Sequence, residues 1–319
     1  MTHAGSDRAP RSDGTDEDDG DHRAGFCALV GLPNVGKSTL LNALVGARLS
    51  IVTPKAQTTR KRLRGIYSDE RGQIVFIDTP GLLRPRYALQ AGMREEAEEA
   101  IRDPDTDVLV YVVDCGFPRS LEAARDFDPP STAEAILCLN KIDRAEPAEV
   151  EAWAAEFGEA GWSAVVRTRA DEGTGVEELR DEVLERLPES PPLYPPDELS
   201  TATLRELAAE AVREACFELL EEEVPYSVAV QVEEFREDEE PLYIGATLHV
   251  ERTSQKGIVI GESGRMIREI GSRARPRIED LVGRQVYLDI WVKVLDNWKK
   301  RPGALARLGL PKPREEKSR

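Results

Sequence analysis

The stretch Gly31–Leu40, GLPNVGKSTL, decides how the first two thirds of this chain are read. It fits the pattern G-x-x-x-x-G-K-[ST]. An apolar run precedes it (FCALVG, 26–31) and a helically spaced segment follows (STLLNALV, 38–45). That setting is what a phosphate cradle requires. Glycine lets the backbone turn so that several N–H groups point at phosphate oxygens, and the next helix offers its N-terminus to the anion. Lys37 reaches the outer phosphates as a point charge, and the Ser38 hydroxyl is a ligand for Mg²⁺.

Working outward, further short apolar runs lie at Ile74–Asp78 (IVFID), Val108–Asp114 (VLVYVVD), Ala135–Asn140 (AILCLN) and Ala164–Val166. Fully apolar strands separated by helical segments predict an α/β domain, with a mostly parallel sheet covered by helices on both faces. EELRDEVLERL (177–187) reads as its closing amphipathic helix, so the domain spans 24–187. Residues 1–23 lack an apolar h-region and read as a solvated, disordered acidic tail. LPESPPLYPPD (187–197) holds five prolines in eleven residues and marks a stiff linker over 188–198.

The net charge of −17 would argue against nucleic acid, but its distribution does not. From Lys256 to Arg319 there are sixteen Lys and Arg against eight Asp and Glu, so a basic C-terminal fifth is joined to an acidic remainder. No apolar run approaches the ~20 residues of a membrane span. Cys27, Cys115, Cys138 and Cys216 are far apart and form no C-x-x-C pair; they read as small buried thiols of a reduced, cytoplasmic chain. Three scattered histidines give no zinc pattern.

The base is read from Asn140-Lys-Ile-Asp143 at the end of an apolar strand. A carboxylate there accepts two hydrogen bonds from guanine N1–H and N2–H₂, whereas adenine would leave it unpaired. Asp143 therefore selects guanine. Asn140 either binds the base or ties the loops together, and Lys141 can lie across the base face. Asp78-Thr-Pro-Gly81 follows the strand QIVFID: Asp78 is placed for the Mg²⁺ shell, and Gly81 can give its N–H to the γ-phosphate and so sense hydrolysis. Between these motifs lies Ala56-Gln-Thr-Thr-Arg60, a second switch candidate, where Thr59 rather than Thr58 is favoured as the further Mg²⁺ ligand. Leu82 follows Gly81 where Ras-like enzymes carry a water-orienting Gln, so no side-chain general base is assigned. Lys37 and Gly81 are left as the catalytic candidates. Slow intrinsic turnover follows, with positioning and charge neutralisation as the catalytic terms.

In this order GLPNVGKS, KAQTTRKR, DTPGL and NKID resemble the translation-factor-related GTPases, and KAQTTR is most similar to the Era GTPases. The resemblance implies a GTP site with Mg²⁺, built from Gly31, Leu32, Pro33, Asn34, Val35, Gly36, Lys37, Ser38 and Thr39, then Asp78, Thr79, Pro80, Gly81 and Leu82, and Asn140, Lys141, Ile142 and Asp143. Arg169-Ala-Asp-Glu-Gly-Thr-Gly175 stands at the family's fifth guanine loop. There Ala170 matches, its N–H meeting the guanine oxygen, and Arg169 replaces the usual Ser. Asn34 matches the asparagine through which some relatives bind K⁺.

After the linker the pattern runs helix (199–223), strand (224–235), strand (242–251), helix (253–260), helix (266–282, containing Pro276), strand (285–294). This order resembles a type II KH domain, an α+β RNA-binding fold, over 199–305, with 306–319 as a basic tail. Gly261-Glu-Ser-Gly264 occupies the place of its G-x-x-G loop, where the backbone packs against a nucleic-acid strand. Lys256, Gly261, Glu262, Ser263, Gly264, Arg265 and Arg268 are the candidate RNA contacts. Arg273, Arg275, Arg277 and Lys299–Arg301 add basic groups that could track phosphates. Trp291, in an alternating strand, is read as core; Trp298 is left open. The resemblance covers residues 24–305 and implies a GTP-controlled monomer that binds the 3′ end of small-subunit rRNA on the maturing subunit. It also implies peripheral association with the inner face of the cell membrane. A double-G-domain ribosome GTPase is disfavoured by the single phosphate loop and single NKID. A signalling or membrane-surface switch without RNA is the competing class, and the basic second domain argues against it.

Overall fold

The structure is a computed structural model that describes residues 22–53, 55 and 57–314. The acidic stretch 1–21 and Ala56 lie outside the described residues. The apolar runs are buried on both sides because strand side chains alternate. In β4 (Thr106–Asp114), Val108, Val110 and Val112 pack with α1 (Lys37–Val45) and α5 (Val176–Leu184). Leu109, Tyr111 and Val113 pack with α3 (Pro118–Arg125) and α4 (Pro147–Glu159) on the other face. Six strands order as β2 (Leu63–Asp69), β3 (Gly72–Asp78), β1 (Arg23–Val30), β4, β5 (Glu134–Asn140) and β6 (Ala164–Thr168). All neighbours are parallel except β2 and β3. The edge strand β2 was not anticipated. Its sequence LRGIYSD buries only Gly65 and Ile66, so a half-covered edge dilutes the apolar signal. Arg23, expected in the tail, opens β1.

The second unit contains α6 (Leu204–Leu219), β7 (Ala229–Arg236), β8 (Leu242–Val250), α7 (Thr253–Ile260), α8 (Arg265–Val282) and β9 (Val286–Val294). Its sheet runs β7-β8-β9, antiparallel then parallel. Ala208, Val212 and Ala215 of α6 and Ile270, Ala274 and Ile278 of α8 pack on Leu242, Ile244 and Leu248. Helix α6 starts at Leu204, five residues later than expected, because Thr203 and Glu206 form a capping box there. The residues before it instead run beside β2, where Ile66 N donates to Leu199 O (2.9 Å). The proline-rich stretch is fastened to the first domain: the buried Gln73 Oε1 accepts from the N–H groups of Leu193 (2.8 Å) and Tyr194 (2.9 Å).

The C-terminus is also not a loose tail as far as residue 314. After α9 (Pro302–Arg307), Leu308 and Leu310 join Leu89 and Met93 of α2 (Ala88–Arg102) in an apolar cluster, and Arg314 N donates to Glu95 Oε2 (2.9 Å). Trp291 reverses the expectation, and Trp298, left open, is core. Trp298 is fully buried in that cluster and donates Nε1–H to Ser227 O (3.0 Å), whereas Trp291 is 42% exposed on the sheet's outer face. Alternation along a strand says that one face is covered, not which face a given ring takes.

Candidate active site

Five loops meet at the carboxyl ends of the parallel strands, the edge where open α/β sheets bind ligands. They enclose a cavity of about 790 Å³. Of the expected residues, Pro33, Asn34, Gly36, Lys37, Ser38, Thr39, Thr59, Thr79, Gly81, Asn140, Lys141, Asp143 and Ala170 line it. Gly31, Leu32, Val35, Asp78, Pro80 and Leu82 stand behind this surface, and Ile142 packs among the apolar residues beside α4. Gly36 has φ +104, and a Cβ there would lie 2.3 Å from Asn140 Nδ2. At Gly81 a Cβ would fall 2.6 Å from the Pro33 backbone, so only glycine lets the second motif close against the phosphate loop.

The three expected Mg²⁺ ligands come together. Ser38 Oγ lies 2.8 Å from Thr59 Oγ1 and donates to Asp78 Oδ2 (2.8 Å), and Thr59 Oγ1 donates to the same oxygen (3.1 Å). Ser50, which carried no signal in the sequence, adds a third hydroxyl to Asp78 Oδ2 (3.0 Å). The other oxygen, Oδ1, is buried without a hydrogen-bond partner. Burial drives the Asp78 carboxyl above its ordinary range, against the pull of Lys37 and the three hydroxyls. One orphaned carboxylate oxygen beside two hydroxyls fits a hard cation that keeps waters and phosphate oxygens in its shell. No cluster of three His, Cys, Asp or Glu that could hold a metal exists among the described residues.

Lys37 is buried and donates Nζ to Gly31 O (3.1 Å) and Leu32 O (3.0 Å). Desolvation lowers it to about 8, with Asp78 opposing and Lys141 adding to the fall. Asn140 ties loops together: Nδ2 donates to Val35 O (2.9 Å), and Oδ1 accepts from Thr168 Oγ1 (3.0 Å) and Ala170 N (3.2 Å). Ala170 N–H, expected on the guanine oxygen, is therefore engaged with Asn140 here. Lys141 Nζ bridges Asn34 O (2.5 Å) and Asp114 Oδ2 (2.6 Å). Asp114, missed earlier, was legible as a carboxylate ending a buried strand. Arg169 sits 3.6 Å from Asp143 Oδ1 and pairs more closely with Glu172 (2.6 Å). Gln57 also lines the cavity, its Oε1 accepting from Gln90 Nε2 of α2 (3.0 Å).

The segment around Thr59 is held from the other domain. Arg213 of α6 donates to Thr58 O, and Arg60 donates to Val228 O (2.7 Å) and Tyr226 O (3.2 Å). Lys55 Nζ reaches Phe217 O (2.5 Å) and Leu220 O (2.6 Å), and Glu214 accepts from Val52 N (3.2 Å) and pairs with Arg48 (2.7 Å). In the KH loop, Glu262 and Ser263 are exposed in a short turn, and Arg268 Nη1 donates to Ser263 O (2.8 Å). Lys256, Arg265 and Arg268 make no ion pair among the described residues, so their charge faces outward. Arg277 and Lys299 do not track phosphates freely: Arg277 pairs with Glu214 and Glu218, and Lys299 with Glu251.

A phosphate loop, a guanine-reading NKID and a G-x-x-G domain on one chain define a KH-bearing P-loop GTPase. Residues 26–141 match the family model described as 50S ribosome-binding GTPase, and residues 223–299 match the KH domain model. The chain is 42% identical over 289 residues to GTPase Era of Carboxydothermus hydrogenoformans, covering 88% of this chain and 95% of that protein. It is 41% identical to GTPase Era of Thermotoga petrophila, covering 88% and 94%. Among solved structures it is similar to a variant of Aquifex aeolicus Era bound to GDP and AlF4⁻, with TM-score 0.84, 38% identity and coverage of 90% and 99%. It is equally similar (TM-score 0.84, 39% identity, coverage 90% and 99%) to Era in complex with MgGDPNP and nucleotides 1506–1542 of 16S ribosomal RNA. The chain belongs to the Era GTPase family, and it is a GTPase.

Two outcomes follow for the site. Replacing Asp143 by Asn turns an acceptor pair into one acceptor and one donor. GTP affinity should fall at least about a hundredfold while affinity for xanthosine triphosphate rises, as read by equilibrium titration; unchanged preference for guanine would remove Asp143 from base reading. Lys37 titrates near 8 in the free site, and a bound triphosphate favours its charged form. Binding should therefore take up a proton as pH rises through 8, and affinity should drop about fourfold from pH 7 to 8.5. Calorimetry in buffers of different ionisation enthalpy reads that proton directly.

Proposed function

We propose that this GTPase loads small-subunit ribosomal RNA onto its KH domain in the GTP state and leaves after hydrolysis, acting in assembly of the small subunit and processing of its rRNA. The observation that carries this reading is the anchoring of Thr58 and Arg60, on either side of Thr59, by the KH domain. With Thr59 as the proposed magnesium ligand, a change at the γ-phosphate would reach α6 through Thr58 and residues 226–228 through Arg60. The relative solved with 16S rRNA nucleotides 1506–1542 supports the choice of RNA. The exposed loop with Lys256, Gly261, Glu262, Ser263, Gly264, Arg265 and Arg268 is the proposed contact with that strand. We propose a monomer working in the cytoplasm, on the ribosomal subunit. No helix among the described residues is long and apolar enough to cross a membrane.

In the proposed mechanism Lys37 and the loop N–H groups bind the phosphates, Asp143 holds guanine, and Ser38, Thr59 and Asp78 would hold Mg²⁺. The ion, when bound, supplies positive charge to the β- and γ-phosphate oxygens. Gly81, which lines the cavity, would give its N–H to the γ-phosphate. With Leu82 after Gly81, no side-chain base is assigned, so hydrolysis would rest on positioning and charge neutralisation and run slowly. Asn34, exposed at the mouth of the site, is proposed to help hold K⁺ there. Turnover should then be several-fold faster in potassium than in sodium, and equal rates would dismiss that ion.

The coupling is tested by titrating a short single strand from the small-subunit rRNA 3′ end against protein holding GDP or a non-hydrolysable GTP analogue. Coupling of ~1–3 kcal/mol predicts roughly 5- to 150-fold tighter binding in the GTP form. Arg213→Ala should shrink that ratio toward one while GTP binding persists. Equal RNA affinity in both nucleotide states would leave a GTPase with a constitutive RNA module.

A further inference from the structure

The outer face of the KH sheet lies opposite the helices that carry the G-x-x-G loop. Strand register sets three rows across it. Arg236, Tyr243 and Tyr287 form the first, Glu234, Gly245 and Asp289 the second, and Gln231, Thr247 and Trp291 the third. Tyr287 is 58% exposed and Trp291 42% exposed. Tyr243 and Tyr287 lie stacked, with ring centroids 5.9 Å apart. Gly245 floors a trough between the aromatic rows: a Cβ there would meet Trp291 at 3.2 Å, Glu234 at 3.3 Å and Tyr243 at 3.5 Å. Two carboxylates, Glu234 and Asp289, therefore flank a glycine floor with aromatic walls on both sides.

The charge of the surroundings selects the occupant. The β7–β8 loop adds Glu237, Asp238, Glu239 and Glu240 at the rim. Asp289, Glu237, Asp238 and Glu240 make no ion pair among the described residues. A phosphate backbone would be repelled there, while a cation gains both from the carboxylates and from the ring faces. The chain itself demonstrates the recognition. The Arg236 guanidinium sits 4.5 Å from the Tyr243 centroid and pairs with Glu234 and with Glu239 (2.9 Å). Among the described residues no cation lies over the Tyr287 or Trp291 ring. We propose that this trough docks an arginine-bearing basic segment of a partner protein, a guanidinium entering between Tyr287 and Trp291 against Asp289. Helices α7 and α8 pack on the opposite face of the sheet, so protein and RNA can be held together.

The test uses the full chain with GDP in about 0.15 M salt. The probe is a fluorescent peptide of about twelve residues alternating Arg and Gly, and the control is the same peptide with citrulline for Arg. The Arg peptide should bind and the citrulline peptide should not. Tyr287→Leu with Trp291→Leu keeps apolar bulk but removes the ring quadrupoles, and should weaken the Arg peptide about tenfold. Asp289→Asn should weaken it several-fold. GTP hydrolysis and affinity for the rRNA strand should stay unchanged in both variants, which also reports that they fold. Equal peptide binding by wild type and both variants would mean only diffuse attraction to an acidic protein, and would overturn the proposal. So would loss of RNA affinity in the Leu variant with peptide binding intact, which would make the face a base-stacking platform.

Discussion

Arg60 carries its guanidinium from the switch segment into a buried position, where it donates to Val228 O and Tyr226 O and lies 5.5 Å from the Trp298 ring centroid. Burial disfavours its charge, and the nearby Arg213 adds to the cost. Such a group stays buried only while its hydrogen bonds are made, since each abandoned buried carbonyl costs about 1–3 kcal/mol. The segment from Arg48 to Arg62 thus has two attachments that must be satisfied at once. The hydroxyls of Ser50 and Thr59 belong to the Asp78 cluster, and the Thr58 carbonyl and the Arg48, Lys55 and Arg60 cations are held by the KH domain. Rearranging one end without the other leaves buried polar groups unpaired.

The nucleotide end of that segment is assembled in the protein alone. Three hydroxyls share one oxygen of Asp78, and the other oxygen has none. Burial is what raises the Asp78 carboxyl, against the pull of Lys37 and of those hydroxyls. A divalent ion with a triphosphate would compensate it, and Thr59 would shift its allegiance from the carboxylate to the ion. On the far side, α2 ties to the same domain through Leu89, Met93, Leu308 and Leu310, so the segments after both switch motifs face the KH unit.

The chemistry was more legible in the sequence than the contacts. GKS, DTPG and NKID are readable because each puts a backbone turn and a reactive side chain into a few contiguous residues, and such demands survive without tertiary context. The parallel strands were readable because both faces are covered and their central runs are apolar. Edge strand β2 was not, since five of its seven residues are left partly or fully open to solvent. Ser50 and Arg60 were invisible as partners: one finds Asp78 across 28 positions, the other finds Val228 across 168. Trp291 and Trp298 show the same limit. A tryptophan's burial depends on which element arrives later in the chain to cover it, and here α9 and the residues after it cover Trp298 and leave Trp291 open.

The central claim is that one segment bridges nucleotide and KH domain. Amide hydrogen exchange of α6 and of residues 225–228 reports on it directly, because their carbonyls and side chains hold that segment from the far side. Exchanging GDP for a non-hydrolysable GTP analogue should change protection there together with residues 48–62, and Arg60→Ala should confine the change to the G domain. Protection that changes at 48–62 but stays the same in α6 and 225–228 would contradict the account.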